Sequence, residues 1–129
     1  MSVDWAEKER GEVTDGIKTY GIRSGMCAAL ARVVHRVATA GGRDARGVQL
    51  RCKGAARFLV PKKPHIPHWG AHTYVETVEH AVDAVTGPDG YEAKSYINDH
   101  WHWNARMYER VEVDVETIDP GIEALGDES

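Results

Sequence analysis

Cys27, His72 and Asp83 are the residues whose types and order could carry covalent chemistry. A thiol becomes a useful nucleophile when its thiolate is stabilised, and a helix start does this with unpaired backbone N–H groups and the positive end of the dipole. Cys27 stands at such a start in IRSGMCAALARVV, and Gly25 has no side chain to block a substrate backbone beside the sulfur. His72 opens a β-type segment after a Pro-rich loop, and Asp83 follows eleven residues later. An imidazole can take up the thiol proton, while a carboxylate behind the ring fixes its tautomer and favours the imidazolium. In chain order these are a nucleophile, a base and an orienter for acyl transfer. The competing reading is a core thiol, because Cys is often buried and Cys27 shares a helical face with Leu30 and Val34.

The elements that must position these groups are partly written in the periodicity. From Met26 to about Ala40 apolar residues recur at helical spacing, with Ser24 as the expected N-cap and Gly41-Gly42 as the stop. Residues 3–12 are polar and helix-friendly, and Gly11, Gly16, Gly21 and Gly25 read as punctuation of a loop leading to Cys27. Val48 to Val60 alternates loosely and predicts a strand bent at Gly54, after which Pro61, Pro64 and Pro67 forbid regular structure. His72 to Val85 predicts two short strands or one bent strand, closed by a turn at TGPDG, residues 86–90. Residues 107–118 alternate apolar and charged side chains and predict a half-buried strand. Residues 91–105 are ambiguous; as a strand they would place Trp101 and Trp103 on one face as core, and His100 and His102 on the other as surface.

With 129 residues, 42% apolar and 28% charged, the chain is expected to form a single domain over 1–129, with its core at about 16–118 and a frayed tail at 120–129. No apolar stretch approaches the roughly 20 residues that cross a bilayer, and MSVDWAEKER has no signal-peptide core, so a cytoplasmic protein without a membrane partner is expected, delivery as an effector remaining compatible. Two cysteines do not make a stapled secreted fold, and Cys52 reads as a core thiol rather than a partner for Cys27. Residues 1–63 carry 13 Lys/Arg against 6 Asp/Glu, and residues 64–129 carry 3 against 14. The favoured explanation is that the two halves neutralise each other within one domain. A basic face over residues 18–63 for an acidic partner or nucleic acid is the alternative, although no nucleic-acid-binding motif is present. Seven histidines invite a metal site from His65, His68 and His72 with Cys52 or His80, but the spacing fits none of the usual zinc patterns. His80 is a second candidate base, and His35 reads as an exposed helix residue.

Three pieces of sequence, GMCAALARVVHRV at 25–37, GAHTYVET at 70–77 and HAVDAVTG at 80–87, together resemble the papain-like and transglutaminase-like superfamily of Cys-His-Asp enzymes. The superfamily includes bacterial transglutaminase-like proteases, lasso-type leader peptidases and papain-fold toxins and deamidases. The resemblance spans roughly residues 20–90 and rests on Cys at a helix head, H-x-[WY]-V-E on one strand and [VI]-D-x-x-[TS] shortly after. It implies Cys27 as nucleophile, His72 as general base and Asp83 as orienting acid, with a protein or peptide substrate and no cofactor. A partner protein is compatible with it. Papain-type enzymes place a Gln a few residues before the nucleophile, whereas the sole glutamine here is Gln49. An oxyanion hole would then use the Cys27 amide with Tyr20 or a loop amide, and Tyr20, Gly25 and Trp69 are the expected substrate or oxyanion contacts. The expected fold is α+β, the Cys27 helix packing on a mostly antiparallel sheet in a papain-like or transglutaminase-like core. The expected function is cysteine-dependent acyl transfer, as a peptidase, deamidase or transglutaminase-like enzyme.

Overall fold

Helix α1 (Glu7–Tyr20) and helix α2 (Cys27–Ala40) precede strand β1 (Ala45–Cys52), and then come the strands β2 (Ala71–Thr77), β3 (His80–Asp83) and β4 (Gly87–Glu92), helix α3 (Ala93–His100) and strand β5 (Tyr108–Val113). These elements come from a computed structural model that describes residues 2–21, 26–52, 71–101 and 108–118. The strands form one antiparallel sheet in the order β4-β3-β2-β1-β5. The fold is thus α+β, with three helices and five antiparallel strands among the described residues.

Side chains alternate across the sheet, so each strand serves two cores. On one side α2 lies over β1, β2 and β3, and α1 lies on α2. Leu30, Ala31, Val34 and Val37, spaced for one helical face, meet Val75, Val82 and Val115 there. On the other side Val48, Leu50, Tyr74 and Ala81 pack with Tyr96, Trp101 and Tyr108. Tyr74, Tyr96 and Trp101 are among the largest fully buried side chains. Their tilted and edge-on contacts, 4.7 Å between Tyr74 and Tyr96 and 6.4 Å between Tyr96 and Trp101, each add about 0.5–1.5 kcal/mol beyond simple area burial.

Three expectations are corrected by this architecture. First, α1 runs through Gly11 and Gly16 where a loop was expected. Gly16 faces α2, and a Cβ there would lie 3.2 Å from both Leu30 and Val33, so the glycine permits close helix packing rather than ending the helix. Second, residues 87–92 form β4, and the turn falls earlier, at residues 84–86. Third, residues 93–100 form a helix, so His100 does not alternate with Trp101 on a strand. Its ring stacks on Tyr96 at 5.2 Å and it is partly buried, not a surface residue. An eight-residue helix is too short to display a helical period. Strand β1 begins at Ala45 and is described to Cys52; the expected continuation to Val60, with Gly54, lies outside the described residues. β5 ends at Val113. The expected 120–129 tail and Trp103 and His102 also lie outside the described residues.

The basic and acidic halves of the chain meet. Arg36 forms a two-pronged pair with Glu116 at 2.6 and 2.8 Å, Arg10 pairs with Asp89 at 2.5 Å, and Arg46 stands 3.9 Å from Glu76. Arg43 instead pairs within its own half, with Asp4 and Glu9. No helix among the described residues is long and apolar enough to cross a membrane.

Candidate active site

The sulfur is placed by the start of α2. Met26 is the residue preceding the helix and provides no side-chain cap; Ser24, the expected cap, lies outside the described residues. Cys27 is the first helical residue, buried but with 8% of its surface exposed. The imidazole is placed by β2. Pairing between β2 and β3 runs through Thr77↔His80, Glu76↔Ala81 and Val75↔Val82 and then stops. Alternation puts His72, Tyr74, Ala81 and Asp83 on the same face, and His72 lies three residues beyond the last registered pair.

Just beyond that pair the three side chains meet. His72 Nδ1 lies 3.1 Å from Cys27 Sγ, and His72 Nε2 lies 2.7 Å from Asp83 Oδ2. The ring is flanked by Trp101, tilted with centroids 4.9 Å apart, and by Tyr74, stacked at 5.7 Å. Asp83 is itself oriented from three directions. The Thr86 amide donates to Oδ1 at 2.8 Å, while the Tyr96 hydroxyl donates to Oδ2, the oxygen that also receives His72. The Asp83 amide donates in return to Thr86 Oγ1 at 3.0 Å, which closes the turn between β3 and β4. This reciprocal pair is the physical content of the D-x-x-T spacing.

The electrostatics follow from this enclosure. Burial alone pushes the His72 imidazolium towards losing its proton, but the negative sulfur of Cys27 and the hydrogen bond and charge of Asp83 outweigh it, and the pKa rises from 6.5 to about 10. Burial likewise works against an ionised Asp83, yet the His72 contacts, the Tyr96 hydroxyl and the Thr86 amide hold its carboxyl below the usual carboxylate range. Cys52 has no such company among the described residues: burial pushes its thiol up to about 11, which keeps it protonated near neutral pH.

A small pocket of about 10 Å³, room for roughly one water, adjoins Cys27, His72 and Asp83 and is lined mainly by Gly21, Leu30, Ala31, Val82, Ala84 and Val85. Its walls are mainly small and apolar. Such walls exclude competing water and strengthen the charge interactions beside them.

Of the other residues singled out in the sequence, Tyr20 ends α1 and packs against the cluster shared by α1 and α2. Gly25, Trp69, His65 and His68 lie outside the described residues. Both ring nitrogens of His72 are engaged by Cys27 and Asp83, and no group of three or more metal-ligating side chains occurs among the described residues. His80 is not a second base: its Nδ1 donates to the Val78 carbonyl at 2.7 Å, at the hairpin end of β2 remote from His72. His35 is partly buried on α2 rather than fully exposed. Gln49 is buried in β1, where its amide donates to Thr73 Oγ1 at 3.3 Å and its carbonyl accepts from Arg51 at 2.6 Å. Tyr96 was not among the sequence candidates. Nothing local marks it, since its hydroxyl reaches Asp83 only because α3 folds back over β3. No protein-family model, curated protein or solved structure matches the chain.

Proposed function

We propose that the protein is a cysteine-dependent acyl-transfer enzyme acting on a protein or peptide, as a peptidase, deamidase or transglutaminase-like enzyme, with its helix-on-sheet core belonging to the papain-like and transglutaminase-like group. The observation that carries the reading is a single imidazole bridging a helix-head thiol and a buried carboxylate, at 3.1 and 2.7 Å. In this reading Cys27 and His72 rest as a thiolate–imidazolium pair, each charge favouring the other, and Asp83 holds the ring so that Nδ1 faces the sulfur.

The chemistry then proceeds in two halves. The Cys27 thiolate attacks the carbonyl carbon of a peptide bond or of a glutamine side chain, and the carbonyl oxygen takes the electron pair. The tetrahedral adduct collapses as His72 Nδ1 gives its proton to the departing amine or ammonia, leaving a thioester on Cys27 and a neutral imidazole. Water or a primary amine next loses a proton to Nδ1 as it attacks the thioester. Collapse frees the acid or the new amide and restores the ion pair. Water yields hydrolysis or deamidation, and an amine yields transamidation.

The test is the pH dependence of Cys27 alkylation by iodoacetamide. An ordinary thiol with pKa near 8.5 loses reactivity about tenfold per pH unit below that value. The wild-type rate at Cys27 is expected to stay nearly flat from pH 8 to pH 5, and His72→Ala to restore the tenfold-per-unit fall. Cys52 is expected to remain unlabelled in both. Mass spectrometry of a peptide mixture incubated with wild type or Cys27→Ser, with and without a primary amine, then separates cleavage, deamidation and amine incorporation. Ordinary thiol behaviour at Cys27 in the wild type would remove the basis of the proposal.

A further inference from the structure

We propose that Tyr96 is a positioning residue of this site: its hydroxyl, brought over by α3, shares Asp83 Oδ2 with His72 and so sets how much of the carboxylate's charge is directed at the imidazole. The functional meaning of this role rests on the acyl-transfer reading, whereas the geometry stands by itself. Tyr96 is fully buried, and a buried hydroxyl needs an acceptor; it is given the one carboxylate oxygen that already receives His72 Nε2. The other oxygen is taken by the Thr86 amide, so the direction of Oδ2 is constrained from both sides. The Tyr96 ring is in turn fixed between Tyr74, at 4.7 Å, and His100, at 5.2 Å.

Among the described residues, the charged and titratable groups around Tyr96 come from four elements. Asp83 faces it from β3, Tyr74 from β2 with His72 behind, and His100 from α3 itself, while Tyr91 of β4 meets His100 instead. Of these only Asp83 accepts the Tyr96 hydroxyl. A hydrogen bond donated to a carboxylate favours its charged form and draws charge away from a second donor on the same oxygen. With Tyr96 in place, Asp83 stays ionised and aligned but does not hold the His72 proton too strongly to release it to a leaving amine. Without the hydroxyl, Oδ2 turns wholly to His72.

Two replacements at position 96 change the donor in opposite senses while keeping a six-membered ring. Tyr96→Phe removes the donor, and replacement of Tyr96 by 3-fluorotyrosine makes it more acidic and hence stronger. The readout is the titration midpoint of the His72 ring nitrogens, followed by nitrogen NMR of the full chain. A single hydrogen bond carries roughly 0.5–1.5 kcal/mol, so Tyr96→Phe is expected to raise the midpoint by about half a pH unit or more, and 3-fluorotyrosine to lower it. Tyr91→Phe, which removes a hydroxyl bonded to Asp99, is expected to leave it in place. A merely structural role would not reverse sign with donor strength. Equal midpoints in all the proteins, or shifts of the same sign at position 96, would overturn the proposal even if Cys27 alkylates as a stabilised thiolate. Opposite shifts together with an ordinary Cys27 thiol would keep Tyr96's influence on the Asp83–His72 pair and discard the acyl-transfer reading instead.

Discussion

The site concentrates three ionisable groups where water has almost no access, and the cost of burying charge is met only because each charge has a partner. Removing one partner of such a buried set leaves an uncompensated charge, which costs about 3–5 kcal/mol. The pH behaviour follows from the protons each group gains or gives up on folding. His72 binds its proton up to about pH 10 in the folded chain against 6.5 ordinarily, so its stabilising contribution is complete below 6.5 and is lost as pH rises to 10. Asp83 is shifted the other way, and its contribution is present above 3.8 and lost as pH falls through the lower folded value. The proposed Cys27 thiolate gives up a proton on folding below about pH 8.5, the ordinary thiol value, which offsets the uptake by His72 between 6.5 and 8.5. Wild-type stability is therefore expected to be level across that interval and to fall above it by up to about 1.4 kcal/mol per pH unit. Cys27→Ser removes the offset together with the sulfur charge that most favours the imidazolium, so the decline that Asp83 alone sustains is expected to begin near 6.5 and to end well below 10. Urea unfolding at a series of pH values measures both onsets, and coincident onsets would show that Cys27 is not ionised in the folded chain. Residue types and chain order made Cys27, His72 and Asp83 legible beforehand. Tyr96 was not legible, because a tyrosine thirteen positions past Asp83 carries no signal until α3 is folded.

At the scale of elements, the positioning of His72 depends on β2 being registered from its far end. The β2–β3 hairpin turns through Val78 and Glu79, both at positive φ, 49° and 62°. A two-residue turn of this hand matches the twist of the strands but suits Asn-Gly, and a β-branched valine is strained there. Val78 is also 48% exposed, so no burial compensates it. Val78→Asn combined with Glu79→Gly is expected to stabilise the chain by about 1 kcal/mol, seen as a higher urea midpoint, with Cys27 alkylation unchanged. An unchanged or lower midpoint would mean that side chains at the turn contribute more than its backbone strain. Periodicity revealed α2, β2, β3 and β5 because each is long enough to repeat its pattern or alternates cleanly. It failed for α1 and β4, where glycine marks close approach or a strand edge rather than an end; Gly47 in β1 is another such case, since a Cβ there would lie 2.6 Å from the Val113 carbonyl.

At the scale of the molecule, several cations of the basic first half are paired with the acidic second half among the described residues. Arg36 on α2 grips Glu116, Arg32 donates to the carbonyls of Val115 and Ile118, and Arg10 on α1 meets Asp89 of β4. Within the acidic half, Arg110 of β5 clasps the buried Glu76 of β2. Exposed pairs of this kind contribute little individually, about 0–1 kcal/mol, but they remove free positive charge from the surface. Duplex DNA and single-stranded RNA are accordingly expected not to be retained at low salt in a filter-binding assay. Retention that falls steeply as salt is added would revive the basic-face alternative over residues 18–63.

The sequence alone determined the candidate thiol, imidazole and carboxylate, their order, the helix that begins at Cys27 and the strand character around His72, because these depend on residue type and on patterns that repeat within a few positions. Only the tertiary structure decided that His72 and Asp83 meet just beyond the last β2–β3 pair, that Nδ1 of His72 rather than Nε2 faces the sulfur, and that a tyrosine from α3 completes the carboxylate's shell. Those features are set by register and by packing between segments far apart in the chain, and no local pattern encodes a distance.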